Sequence, residues 1–204
     1  IDCQCARCGS SIDSEHCEYC EDGFDGHDCG EDCCCCLYPE ENVAWRVEMP
    51  GAGHSSPTIL GDRIFITAAV GAGKDARRVL LCYGRRDGRP LWEKEVLRAP
   101  LEGKHWKNSH ASGTPVTDGE RIYAAFFGEG RAHVAAVGLD GTLRWSVSPA
   151  GFKSVHGFCA TPVFHEDLLI VNCDQDSEEA AILALERATG KVRWRTEREN
   201  HVRS

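Results

Sequence analysis

From Val43 onward the hydrophobic positions fall in short runs, broken by Gly, Asp and Pro. Brief apolar runs bounded by turn residues read as β-strands. They come in sets of four. The first set is Ser56-Pro57-Thr58-Ile59-Leu60, Arg63-Ile64-Phe65-Ile66-Thr67, Val79-Leu80-Leu81-Cys82-Tyr83 and Leu91-Trp92. The second is Thr114-Pro115-Val116, Arg121-Ile122-Tyr123-Ala124-Ala125, Val134-Ala135-Ala136-Val137 and Leu143-Arg144-Trp145. The third is Thr161-Pro162-Val163-Phe164, Leu168-Leu169-Ile170-Val171, Ile182-Leu183-Ala184-Leu185 and Val192-Arg193-Trp194. Gly61-Asp62, Asp118-Gly119 and Glu166-Asp167 separate first from second strands; Asp87-Gly88, Asp140-Gly141 and Thr189-Gly190 separate third from fourth. Such pairs supply the positive φ that tight hairpins require.

The sets repeat. Gly88, Gly141 and Gly190 each open a G-x-x-x-W phrase ending on Trp92, Trp145 and Trp194, and Trp45 precedes them in Val43-Ala44-Trp45-Arg46-Val47. The tryptophans are spaced by 47, 53 and 49 residues. A period of that length in four-stranded units predicts propeller blades, each burying an apolar face on its neighbour. The indole on the outer strand is placed to cover the seam. The fold class expected is therefore all-β: a partial β-propeller of three four-stranded blades plus one orphan strand around Trp45, with a small Cys-rich N-terminal segment. A β-helix needs shorter coils, and a sandwich has no internal period. The domain reading is 1–36 Cys-rich, 37–42 linker and 43–204 blades.

Composition separates the ends. The net charge is −9, but residues 1–41 hold twelve acidic residues and one basic, Arg7. The remainder is near neutral. Neither part has the basic stripe that nucleic-acid binding needs, and an acidic head disfavours an anionic membrane surface. The longest apolar runs are too short to span a bilayer. Residue 1 is Ile and the only methionine is Met49, which suggests a processed chain or a piece of a longer one. Ten of the thirteen cysteines lie between positions 3 and 36. That segment has no hydrophobic periodicity and must be cross-linked, metal-bound or unfolded. Cys82, Cys159 and Cys173 sit in strand-like runs and read as small buried hydrophobes.

The run Ala184-Leu185-Glu186-Arg187-Ala188-Thr189-Gly190-Lys191-Val192-Arg193-Trp194 resembles the tryptophan-docking repeat of pyrroloquinoline-quinone-like (PQQ-like) β-propellers, with Glu186 where that repeat usually has Asp. The other two copies keep only the D-G-x-x-x-W end. Residues Asn42–Pro57 and Lys107–Tyr123 are similar to one large bacterial branch of the family. The resemblance covers residues 42–204. It implies a ring of seven or eight blades, roughly 350–400 residues, of which three and a strand are present. The Trp45 strand would then pair with later strands, and alone leaves a bare edge. Quinone dehydrogenases of this family are implied to carry adjacent cysteines in a propeller loop and carboxylates that hold Ca²⁺. The adjacent cysteines here, Cys33–Cys36, precede the blades.

Two constellations offer chemistry. Cys5-x-x-Cys8 and Cys17-x-x-Cys20 have zinc-ribbon spacing, because each knuckle offers two thiolates at about 2.3 Å to one tetrahedral ion, and zinc would supply the folding energy the segment lacks. Cys17 to Cys29 equally resembles the end of an epidermal-growth-factor or laminin-type disulfide repeat. Asp22, Asp25 and Asp28 lack the spacing of a calcium loop. In the blades, His54, His110 and His156 each precede a first-strand proline, which would gather them with Lys107, Asn108 and Ser112 at the funnel mouth. Imidazoles there suit a small molecule or metal; the competing reading, which the sequence favours, is turn residues that satisfy backbone groups. Trp106 stands off the repeat, as a cap or as part of the mouth. Gly71-Ala72-Gly73-Lys74-Asp75 lacks the first Gly and final Ser or Thr of a phosphate loop. Gly53-His54-Ser55-Ser56-Pro57 is not a nucleophile elbow. The function expected is a non-catalytic, extracytoplasmic scaffold that binds a protein partner or small ligand, without PQQ. The alternatives are a fragment of a quinoprotein alcohol or sugar dehydrogenase, and a zinc-ribbon head fused to a propeller.

Overall fold

In the computed structural model, residues 43–174 and 179–197 are described. The Cys-rich segment 1–36, its candidate zinc ligands Cys5, Cys8, Cys17 and Cys20, and the linker 37–42 lie outside them. From Val47 onward the described chain belongs to one compact unit.

Twelve strands form three antiparallel sheets, each in simple up-and-down order. The first holds β1 (Thr58–Leu60), β2 (Arg63–Val70), β3 (Arg77–Gly84) and β4 (Pro90–Arg98). The second holds β5 (Val116–Thr117), β6 (Arg121–Gly128), β7 (Arg131–Gly138) and β8 (Leu143–Gly151). The third holds β9 (Val163–His165), β10 (Leu168–Cys173), β11 (Ala181–Glu186) and β12 (Val192–Glu197). These are the three expected sets. First strands are shorter than the apolar pattern suggests, because each begins only after its proline, which has no N–H for the ladder. The segment around Trp45 has no ladder among the described residues; its first pairing is a bridge between Ala52 and Ala69.

Period two explains the packing. On β6, Ile122, Ala124 and Phe126 face the first sheet and meet Phe65, Leu80 and Cys82. Tyr123 and Ala125 face the other way and meet Leu169, Val171, Leu183 and Leu185 of the third sheet. The middle strands are buried on both faces, hence their unbroken apolar runs. Each fully buried Leu or Phe contributes roughly 1.5–3 kcal/mol by leaving water.

Each outer strand carries the same irregularity. The pairing register slips just before the tryptophan: Cys82 opposes Trp92 while Tyr83 opposes Pro90, Ala136 opposes Trp145 while Val137 opposes Leu143, and Ala184 opposes Trp194 while Leu185 opposes Val192. A bulge adds local twist and re-aims a side chain. In the first two sheets it accompanies an indole that docks on the next sheet. Trp92 Nε1 donates to the Leu139 carbonyl at 2.9 Å, and Trp145 Nε1 to the Arg187 carbonyl at 2.9 Å. A second donor reaches each carbonyl from the start of a second strand: Arg63 to Leu139 at 2.7 Å and Arg121 to Arg187 at 3.1 Å. One carbonyl has two lone pairs and takes both. Under each indole lies a glycine. A Cβ on Gly141 would stand 3.0 Å from Trp92, and one on Gly190 2.7 Å from Trp145; both glycines have positive φ, 82° and 74°. Gly88 has the same conformation, φ 67°.

The inner edge has its own repeat. The N–H of Ser56 donates to Thr114 Oγ1, and that of Thr114 to Thr161 Oγ1, each at 3.1 Å. The hydroxyl residues that precede Pro57, Pro115 and Pro162 thus link sheet to sheet.

Candidate functional site

The fourth strand of one sheet reaches the first strand of the next through a long segment, 99–115 after the first sheet and 152–162 after the second. The first is anchored through β3. Arg78, in the apolar run of β3, is completely buried. Its guanidinium donates to the carbonyls of Ala99 and Pro100 and pairs with Glu102 at 2.8 Å. Burial pushes the Arg78 pKa down, and Glu102 opposes that shift. The other Glu102 oxygen accepts the Glu129 N–H from the β6–β7 turn. One carboxylate therefore ties the first segment to both sheets.

Asn108 is the hub above this anchor. Its Nδ2 donates to the His156 carbonyl at 2.6 Å, and its Oδ1 accepts Ser109 N–H at 2.8 Å and Ser112 Oγ at 2.6 Å. The buried Ser109 hydroxyl lies 2.7 Å from Ser112 Oγ and accepts the His54 and Ala111 N–H groups. Gly157, at φ 86°, packs on Asn108 and Lys104, where a Cβ would meet them at 2.9 and 3.1 Å. The two segments therefore interlock.

The residues singled out at the mouth divide. Asn108 and His156 meet, the latter through its main chain. Lys107 sits beside them, exposed, its Nζ 5.1 Å from the Trp106 ring. His110 is turned inward: its Nε2 lies 2.8 Å from the Glu102 carbonyl, so that nitrogen carries the proton. His54 is exposed and is tied to the loop by its N–H rather than its ring. Three imidazoles around one point are not what the geometry gives. A different pair forms, His105 with His156, ring centroids 5.8 Å apart. His105 was not singled out in the sequence because it precedes no proline. The crevice below, lined by Lys104, Ser109, His110 and Phe158 among others, has a volume of about 10 Å³, at the lower limit for one water. A wider cleft of about 450 Å³ opens between Phe127, Phe152, Lys153, Glu102 and Glu179. Another, of about 560 Å³, lies far from these loops on the first sheet's flank, beside Val47, Met49, Leu81 and Tyr83.

Thiols in the sheets are not activated. Burial pushes Cys82 and Cys173 up to about 11 each, against weaker opposition from Arg63 and Arg195. Cys159, by contrast, is exposed, contrary to its reading as a buried hydrophobe: it lies in the 152–162 segment and in no strand. Among the described residues no three His, Cys, Asp or Glu side chains are grouped to hold a metal, and none of their helices is long and apolar enough to cross a membrane.

Residues 76–204 match the family model described as outer membrane protein assembly factor BamB. The chain belongs to this PQQ-like, BamB-type propeller-repeat family. It is 26% identical over 174 residues to a polyvinylalcohol dehydrogenase of Pseudomonas sp, a match covering 78% of this chain and 25% of that protein. Among solved structures it is similar to BamB from Moraxella catarrhalis, at TM-score 0.52 and 14% identity, over 76% of this chain and 43% of that one. It is also similar to quinohemoprotein alcohol dehydrogenase ADHIIG from Pseudomonas putida HK5, at TM-score 0.50 and 15% identity, over 76% and 22%. The family match thus covers the second and third sheets and the last two strands of the first, and the chain spans a quarter of the curated relative's length. The likenesses to solved structures show the fold alone.

Proposed function

We propose that this chain is part of a non-catalytic propeller scaffold, and that the face carrying segments 99–115 and 152–162 is its binding platform. One observation carries the reading. The polar side chains gathered there are spent on fixing the two segments, Asn108 on the His156 carbonyl and His110 on the Glu102 carbonyl, not on one another as an acid–base pair. Catalysis needs groups positioned toward a reacting atom; a platform needs rigid loops. The engagement of the Glu102 carboxylate by Arg78, which leaves it unavailable to Ca²⁺, supports the reading without a quinone. Fold alone decides nothing here.

The dehydrogenase reading remains as a second one because of the polyvinylalcohol dehydrogenase similarity. Adding PQQ and Ca²⁺ to the whole protein separates the two. The scaffold gives neither saturable quinone uptake nor dye-linked alcohol oxidation; either result overturns it. The family's description as an outer membrane assembly factor supports an extracytoplasmic setting and a protein partner. For the head we propose one zinc held by Cys5, Cys8, Cys17 and Cys20, on their paired spacing. One zinc per chain with reduced thiols is the expected result; no metal and few free thiols indicates disulfides instead.

A further inference from the structure

The two interlocked segments carry Lys104-His105-Trp106-Lys107 and Lys153-Ser154-Val155-His156 side by side. Neither tetrapeptide contains an acid. Trp106 is 78% exposed and Val155 70%, the highest values among the large hydrophobics described. An exposed Trp flanked by lysines and by no acid stands out in a blade region that is near neutral as a whole. We infer that this shelf is a docking surface for an acidic peptide segment of a partner protein, with Trp106 as the anchor.

Charge complementarity supports that occupant. The Lys104 ammonium hydrogen-bonds the neighbouring His105 carbonyl, at 3.5 Å, and Lys107 lies over the Trp106 ring. Neither forms an ion pair among the described residues, so both charges stay available. The nearby Glu102 is already neutralised by Arg78. A cation held near an indole keeps a positive potential beside an apolar surface. Aromatic residues of this kind dominate binding energy at protein interfaces. The crevice of about 10 Å³ beneath Trp106 and the lysines admits nothing larger than water, so there the shelf offers a surface and not a pocket. The two segments are also preorganised by the Asn108–His156 bond and by Gly157, which lowers the ordering cost of binding.

The inference rests on the scaffold reading and is tested separately from it. The whole protein is titrated into a labelled, glutamate-rich peptide bearing one phenylalanine, read by fluorescence anisotropy. Saturable binding that weakens with salt is expected. Lys104→Glu with Lys107→Glu should weaken it at least about tenfold, and Trp106→Ala by about tenfold, with the near-ultraviolet circular dichroism of the other tryptophans retained. Equal binding of the glutamine version of the peptide overturns the inference. So does insensitivity to these substitutions, or equal affinity for oligouronate, polyphosphate or an oligonucleotide. Dye-linked oxidation is measured on the same samples. Absent peptide binding without oxidation removes only this inference, whereas oxidation removes the scaffold reading beneath it.

Discussion

Trp145 does two things, and they can be separated. Its ring covers Gly190, and its N–H meets the Arg187 carbonyl. Trp145→Phe keeps most of the ring and loses the bond, an expected cost of about 1 kcal/mol. Trp145→Ala also leaves a void and should cost about 3–5 kcal/mol. Urea unfolding of the whole chain measures both, and equal losses would mean the ring contributes nothing. Next to this junction, Asp118 accepts the Tyr123 hydroxyl and the N–H groups of Glu120 and Arg121, and pairs with Arg187. Burial alone raises the Asp118 pKa, but these partners outweigh it and the net shift is down; Tyr123 is pushed up to about 12, by burial first and then by Asp118. A carboxyl with a lowered folded pKa stabilises above its ordinary range and loses that contribution as pH falls through the folded value. The urea midpoint of the wild type should therefore drop more steeply below the usual Asp range than that of Asp118→Asn. Thiol mapping at mild alkaline pH should modify exposed Cys159 and spare Cys82 and Cys173 until the sheets unfold. The G-x-x-x-W phrase made the indoles legible in the sequence. Arg63 and Arg121 were not legible as their companions, because a run of apolar positions says which face a residue takes but not which carbonyl, 76 or 66 positions away, it will meet.

At the level of elements, the strands were readable because alternation and turn residues are local signals. The inter-blade segments were readable only as lengths. His54, His110 and His156 share a place before proline, yet His110 turns inward to Glu102, since a loop is oriented by its anchors rather than by its own periodicity. Arg78 was the missed clue: a cation inside an apolar strand needs a buried partner. Its removal tests the anchor. Arg78→Met should cost about 3 kcal/mol, the lower end for breaking a buried pair, because Glu102 keeps 23% of its side-chain surface in water. Amide exchange should speed up across residues 99–103 and at Glu129 more than in β6. Uniform acceleration would show that Arg78 supports the sheet and not the loop.

The three sheets form a stack whose last sheet leaves apolar side chains in water: Val163, Ile182, Val192 and Trp194 are exposed there, Trp194 by 42%. Residues 43–204 produced alone should self-associate as concentration rises, and Trp194→Arg should reduce this in light scattering. The stack also has a direction. At both indole junctions the hydrogens come from the earlier sheet and the oxygen from the later one, and the same sense holds along Ser56, Thr114 and Thr161. Distorting the hairpin at Leu139 takes the acceptor from Trp92 and Arg63 together, residues up to 76 positions upstream. One turn carbonyl thus fastens two strands of the neighbouring blade, and a lesion in that hairpin is shared by both sheets it joins.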